Sequence, residues 1–225
     1  MEKYLKNYPL TNLKKLSNTL RKTLTFVDLE TTGLLHERGF TIIEVGVVHI
    51  DGDNIIEESA LIDPKMSIPE HITGITGITN SMVKGKKTFD VFIPYFEKIA
   101  SNNILCGFNS RPFDAKGIER VADQYGKNLS FNNQIDVRQV FIKTRNDRLG
   151  VKSQAGKLTE AAVDHNINLK GTAHRAAYDI ALTTILAEEL IRNNKFECLS
   201  HEIMKFDCKK TKKLYEAFIS NSLQC

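Results

Sequence analysis

The chain has 225 residues, 41% of them hydrophobic and 26% charged, with a net charge of +4. That composition excludes an intrinsically disordered chain, and no apolar run approaches the eighteen residues that a membrane-spanning helix needs. The four cysteines have no paired spacing, and residues 1–10 lack the apolar core of a secretory signal, so reduced thiols in a cytoplasmic protein are expected.

Leu10, Leu13, Leu16 and Leu20 recur at three and four residues and predict a short N-terminal helix. Residues 24–30 then alternate Leu24, Phe26, Asp28 and Glu30 on one face with Thr25, Val27 and Leu29 on the other. Apart from the acids such a strand is apolar on both faces, as in the middle of an α/β sheet. A second strand over 41–50, the turn Asp51-Gly-Asp-Asn54 and a third strand over 55–62 predict an antiparallel hairpin. Residues 71–79 read as a loop with broken helical turns, and Thr88 opens a helix to about 100 that contains Pro94.

A fourth strand over 103–108 leads through Asn109-Ser-Arg-Pro-Phe-Asp114 into a helix ending near 125. A short strand over 131–136 leads to a helix through Val137, Val140 and Phe141. Residues 145–156 read as a mobile basic loop, 157–166 as a helix, and 173–192 as a long helix. The order predicts an α/β fold with a mixed five-stranded sheet and helices on both faces. Three segments follow: a basic helical arm (1–22), a central domain (23–192) and a lysine-rich helical extension (193–225). No glycine-rich phosphate loop follows a strand, which argues against a dinucleotide or triphosphate enzyme.

Charge is clustered. Six basic residues lie in 1–22, six in 138–157 and five in 205–213, each cluster against a single acid. Such clusters fit a polyanion such as nucleic acid, and each alone also fits a solvated surface. Cys198, His201 and Cys208 match no common zinc spacing.

Four acids sit where strand and helix ends converge. Asp28 and Glu30 share a face of a buried strand, and two such carboxylates need a counter-ion, for which a hard divalent cation with oxygen ligands is suited. Asp114 opens a helix after the fourth strand. Asp179 lies among the small residues Ala173, Ala176, Ala177 and Ala181, which let a helix press against a sheet. His174 is five residues from Asp179, about 140° round an ideal helix, so a shared site requires His174 at the helix entrance. Taken singly, Asp28 and Glu30 also read as surface acids, Asp114 as a helix cap, His174 as a surface histidine and Asp179 as an exposed helix residue.

Together the residues resemble a known family. Phe26-Val-Asp-Leu-Glu-Thr-Thr-Gly-Leu34, Gly107-Phe-Asn-Ser-Arg-Pro-Phe-Asp114 and His174-Arg-Ala-Ala-Tyr-Asp179 resemble the three motifs of the DnaQ-like (DEDDh) 3′–5′ exonucleases of the ribonuclease-H-like fold. Gly77-Ile-Thr79 resembles their intervening signature. The resemblance covers about 23–192, and Arg175, where a related subgroup has tyrosine, selects the histidine subgroup. Two departures are an extra residue between Asn109 and Phe113, as in one branch of the family, and Thr76 where histidine often stands.

The resemblance implies that Asp28, Glu30, Asp114 and Asp179 hold two Mg²⁺ or Mn²⁺ ions. It implies that His174 is the general base, a task suited to a side chain whose ordinary pKa lies near neutrality. Thr31, Thr32, Gly33 and Leu34 are implied to contact the terminal nucleotide, Asn109 and Phe113 are expected to bind substrate as well, and Phe113 to pack beneath the site. Arg145, Arg148 and Lys152 are expected along the phosphate path. The activity implied is 3′–5′ hydrolysis of single-stranded DNA or RNA to nucleoside 5′-monophosphates. Alternatives are an oligoribonuclease, a ribonuclease T-like trimming enzyme, or an inactive nucleic-acid-binding module. A homodimer and a polymerase or repair partner are both left open, and no membrane association is expected.

Overall fold

Why Asp28 and Glu30 meet the other acids follows from where the neighbouring strand stops. The computed structural model describes residues 4–222; Cys225 and Lys3 of the first basic cluster lie outside them. Strands β1 (Leu24–Thr31), β2 (Ile42–Asp51), β3 (Asn54–Leu61), β4 (Ile104–Gly107) and β5 (Gln134–Asp136) form one sheet in the order β3-β2-β1-β4-β5. β1 pairs antiparallel with β2 and parallel with β4, and β4 runs parallel to β5. The β1–β4 pairing ends at Phe26↔Cys106. Beyond it, the second half of β1 opens onto a crevice at the C-terminal edge of the parallel strands, the usual place for a site in an open α/β sheet.

The alternation of β1 feeds two cores. Leu24 and Phe26 pack with helices α1 (Thr11–Leu20), α6 (Val137–Leu149) and α8 (Ala176–Asn194) on one face. Val27 and Leu29 pack with α4 (Ile93–Asn102) and α5 (Asp114–Gln124) on the other. Shorter helices are α2 (Glu70–Thr76), α3 (Asn80–Val83), α7 (Leu158–Asp164) and α9 (Ser200–Ile203), and α10 (Lys209–Ser222) closes the chain. The terminal segments share the first core: Leu13, Leu16 and Leu20 meet Phe196, Leu199, Ile203, Phe206 and Tyr215, all buried. Glu188 of α8 reinforces this by accepting the backbone N–H groups of Asn12 and Leu13, each at 2.9 Å, at the start of α1.

Several boundaries differ from the sequence expectation. The fifth strand, expected over 131–136, covers only Gln134–Asp136, the length over which it pairs with the short β4. Residues 70–76 form a regular helix, closed by Gly77 in the left-handed region (φ 69°). The helix expected from Thr88 does have the irregular first turns that Pro94 implies: it begins as a 3-10 turn, Phe89–Phe92, and Pro94 is accommodated in the first turn of α4. The basic loop expected over 145–156 is half helix: α6 runs to Leu149. Its polar residues face the following segment, where the carbonyls of Ser153, Gln154, Ala155 and Gly156 accept from Asn146, Arg138, Arg145 and Arg138 in turn. Side-chain support of that loop, rather than exposure, explains their polarity. Finally α8 starts at Ala176 instead of 173, because Glu44 of β2 accepts the Ala176 N–H at 3.0 Å and holds Arg175 outside the helix.

Candidate active site

Close approach of α8 to the sheet builds the site. Gly46 pairs with Asp28 across β1 and β2, and a Cβ there would lie 2.4 Å from the Ala176 carbonyl oxygen. Only glycine lets the helix start press this near, and that brings Asp179 over Asp28 and Glu30. Asp114 enters from the other side. It opens α5, is 4% exposed, and accepts the Leu29 N–H at 3.0 Å, a donor freed where β4 diverges from β1.

The stretch before α8 is clamped at three points. His174 has φ 60° and donates its backbone N–H to Asp179 Oδ2 at 2.7 Å. Arg175 forms a two-pronged pair with Glu44, Nε–Oε2 3.1 Å and Nη2–Oε1 2.7 Å. Ala176 donates to the same carboxylate. His174 therefore lies outside α8, in the loop that enters it, where a site shared with Asp179 requires it. One ligand atom each from Glu30, His174 and Asp179 lie within 4.8 Å of one another.

Asp28, Glu30, Asp114, His174 and Asp179 line one cleft of about 660 Å³, with Asn109, Phe113, Phe108, Leu158, Arg138 and Lys157 in its walls. The acids repel one another. Burial pushes the Asp28 carboxyl well above the carboxylate range, and the charges of Asp114, Asp179 and Glu30 push it further. Glu30 is pushed up to about 8 by burial and then by Asp179 and Glu44, against a lowering by Arg175. Burial raises Asp114 and Asp179 as well, opposed by the backbone N–H groups of Leu29 and His174. Among the described residues, the Asp28 and Glu30 carboxylates accept no hydrogen bond, and Arg175 is engaged by Glu44. Four carboxylates that form no salt bridge with a lysine or arginine among the described residues match the donor set of a hard divalent ion.

A family model described as Exonuclease (RNase_T) matches residues 25–187. This chain belongs to the DnaQ-like 3′–5′ exonuclease family. It is 34% identical over 177 residues to the DNA polymerase III subunit epsilon of Aquifex aeolicus, covering 76% of this chain and 82% of that protein. It is 31% identical over 195 residues to the PolC-type DNA polymerase III of Clostridium perfringens, covering 86% of this chain but only 12% of that polymerase. The fold is similar to that of E. coli exonuclease I in complex with a dT13 oligonucleotide, with a TM-score of 0.66, 19% identity, and coverage of 81% of this chain and 45% of that one.

Within this exonuclease fold the remaining expected site residues fall into two groups. Asn109 (φ 64°) and Phe113 reach the cleft, and Phe113 stacks edge-on against Phe40 with ring centroids 6.4 Å apart. Thr31, Thr32, Gly33 and Leu34 do not line it. Thr31 and Thr32 are buried, and their hydroxyls hold the turn by donating to the Gly33 and Gly39 carbonyls. Gly33 lies against the Glu37 carboxylate, and Leu34 is 55% exposed beside it. Arg145, Arg148 and Lys152 also lie outside the cleft lining. The Arg145 guanidinium lies over the Phe141 ring and donates to the Ala155 carbonyl, while Arg148 faces Asp164 at 3.8 Å. Sequence reasoning placed Arg138 and Lys157 in a basic cluster suited to nucleic acid without singling them out as cleft residues, and it missed Glu44 as the anchor of the third motif. The only signal for Glu44 was a charge inside an otherwise apolar strand, at a position directly across from Glu30.

Proposed function

We propose that the chain removes nucleotides from the 3′ end of single-stranded DNA, using two divalent cations held by Asp28, Glu30, Asp114 and Asp179, with His174 as general base. The observation that carries this reading is the acid cluster itself: four carboxylates in one open cleft, raised by burial and mutual repulsion and lacking any internal cation that neutralises them all. Mg²⁺ or Mn²⁺ bound there supplies the positive charge that stabilises an in-line phosphoryl displacement.

The chain's own groups do the rest. The clamp of 174–176 on Asp179 and Glu44 fixes the imidazole at the mouth of the acid cluster, where it takes a proton from the attacking water. Lys157 and Arg138 add positive charge to the lining of the cleft, which suits a phosphate chain entering it. Phe108 and Phe113 offer ring faces and edges to terminal bases.

DNA as substrate and a polymerase as partner are supported by the names of the relatives, two of which are DNA polymerase III proteins, and by the dT13 oligonucleotide bound in the exonuclease I fold. The test is digestion of matched labelled DNA and RNA oligonucleotides, single- and double-stranded, with Mg²⁺. Nucleoside 5′-monophosphates released stepwise from the 3′ end of DNA support the proposal. Preferential digestion of very short RNA supports the oligoribonuclease alternative and overturns it.

A further inference from the structure

The family match ends at residue 187, yet a side chain beyond it reaches back to the second motif. Glu202 of α9 is 1% exposed. Its Oε2 accepts from Arg111 Nη2 at 2.9 Å and from the Asp136 N–H at 2.9 Å. Its Oε1 accepts from Lys205 Nζ at 2.5 Å, with His201 Nδ1 3.4 Å away. Arg111 sits in the loop that delivers Asn109, Phe113 and Asp114 to the cleft, and it also donates to the Gln134 carbonyl at 3.1 Å. Asp136 holds the same loop from below, accepting the Asn109 N–H at 3.0 Å and the Arg111 N–H at 3.4 Å. One buried carboxylate thus ties the end of β5 to the middle of the loop.

We propose that Glu202 is a positioning residue for the second-motif loop, so that the C-terminal segment completes the active site rather than merely following it. The loop needs such a tie. Asn109 is held in the left-handed region, which costs an L-residue energy and persists only under surrounding constraint. β4 has already ended at Gly107, so no sheet ladder fixes residues 109–113. The C-terminal end of this stretch is held by the Phe113–Phe40 ring contact and by the Ser110 and Phe113 carbonyls accepting from Ala115 and Gly117; its N-terminal end, Asn109 to Arg111, is held through Asp136 and the Arg111 side chain, and Glu202 engages both. Asp114 follows directly, and its distance from Asp28 governs how the acids share a cation.

This inference rests on the exonuclease reading, and its test separates the two. Glu202→Gln, Arg111→Gln, the double variant and a control, Glu188→Gln, are compared in Mg²⁺ for kcat and KM on a short single-stranded DNA, and for Tm with and without Mg²⁺. Glu188 is a good control because it too is a buried carboxylate, 9% exposed and bonded to backbone N–H groups, but it anchors α1 and touches nothing in the cleft. The expected result is a roughly tenfold to hundredfold fall in kcat for Glu202→Gln, the scale of a small misplacement of catalytic groups, with KM little changed. The double variant should be no worse than the poorer single one, since both break the same tie. Glu188→Gln should lower Tm yet keep wild-type kcat in the folded fraction. Wild-type kcat in folded Glu202→Gln overturns the proposal, and so do equal kcat losses in Glu202→Gln and Glu188→Gln. If the wild type degrades no nucleic acid, the exonuclease reading fails. The positioning claim is then judged on the Mg²⁺-induced rise in Tm, which should shrink in Glu202→Gln and not in Glu188→Gln.

Discussion

Replacing Asp28 by Asn should make the metal-free protein more stable, an unusual sign for a change at a half-buried active-site residue. Asp28 is raised by burial and by four neighbouring acids, so in the absence of cation its ionised form opposes folding. Glu30 gives the scale. Its pKa rises from an ordinary 4.5 to about 8 in the fold. Across that interval the folded state keeps a proton the unfolded chain has released, so stability is greatest below the ordinary value and is lost as pH climbs toward 8. His49 and His165, whose pKa values burial lowers, act in the opposite sense, but only below about pH 6.5 where an unfolded histidine is charged. The clean window is therefore about pH 6.5 to 8. Over it Glu30 alone should cost about 2 kcal/mol, or roughly 4–8 °C in Tm at this chain length. Divalent cation should reverse the trend, because it competes with those protons and gains with rising pH; a hundredfold excess over Kd adds about 2.7 kcal/mol. The assay is thermal unfolding of wild type and Asp28→Asn at pH 6.5, 7.25 and 8, in chelator and in Mg²⁺ or Mn²⁺. In chelator the variant should melt above the wild type at pH 8 and gain little from metal. A wild-type Tm in chelator that is flat or rising from pH 6.5 to 8, or a variant that melts lower there, would refute the electrostatic argument.

The other expectations can be checked singly. His174→Ala should keep the metal-induced rise in Tm and lose about 10²–10⁴-fold in kcat; loss of that rise would make the imidazole, whose ring lies in the same 4.8 Å grouping as Glu30 and Asp179, a metal ligand instead. Arg175→Met leaves the 2%-exposed Glu44 carboxylate without its cation, and should cost about 3 kcal/mol measured by denaturant unfolding. Lys157→Ala should reduce the salt slope of oligonucleotide binding by about one unit. The triple change Arg145→Ala, Arg148→Ala, Lys152→Ala should lower Tm through the loop it supports, and a larger effect on the salt slope than on Tm would restore those residues to the phosphate path.

Periodicity made the fold readable because both faces of β1 are buried and the two apolar sets lie two residues apart. Leu24 and Phe26 went to one core, Val27 and Leu29 to the other, as the alternation requires. The Asp51–Asn54 turn likewise defined a hairpin, and register pairs Asp51 with Asn54. What periodicity could not carry was the reach of α6. Arg138, Arg145 and Asn146 look solvent-directed in one dimension, yet they donate to four successive carbonyls of the next segment. A polar side chain whose partner is a backbone carbonyl ten residues away has no signature of its own in the sequence.

The same limit applies more sharply to the acids. Buried carboxylates here are of two kinds, and sequence does not separate them. Glu44, Glu57, Glu188 and Glu202 each accept backbone N–H groups from distant parts of the chain, and Glu44 and Glu202 also hold an arginine. They are satisfied, and their role is to place something else: α8 and His174 by Glu44, the N-terminal segment by Glu57 and Glu188, the second-motif loop by Glu202. The Asp28 and Glu30 carboxylates instead face the other acids of the cleft, and burial together with those charges raises both. Glu30 and Glu44 make the contrast plainest, since they face each other across β1 and β2 and differ only in what reaches them. The resemblance of the three motifs pointed to the unsatisfied set. Only the fold identifies the satisfied set, because the backbone N–H groups its members accept are more than fifty residues away in the chain and become neighbours through the sheet and the helix packing that the apolar pattern dictates.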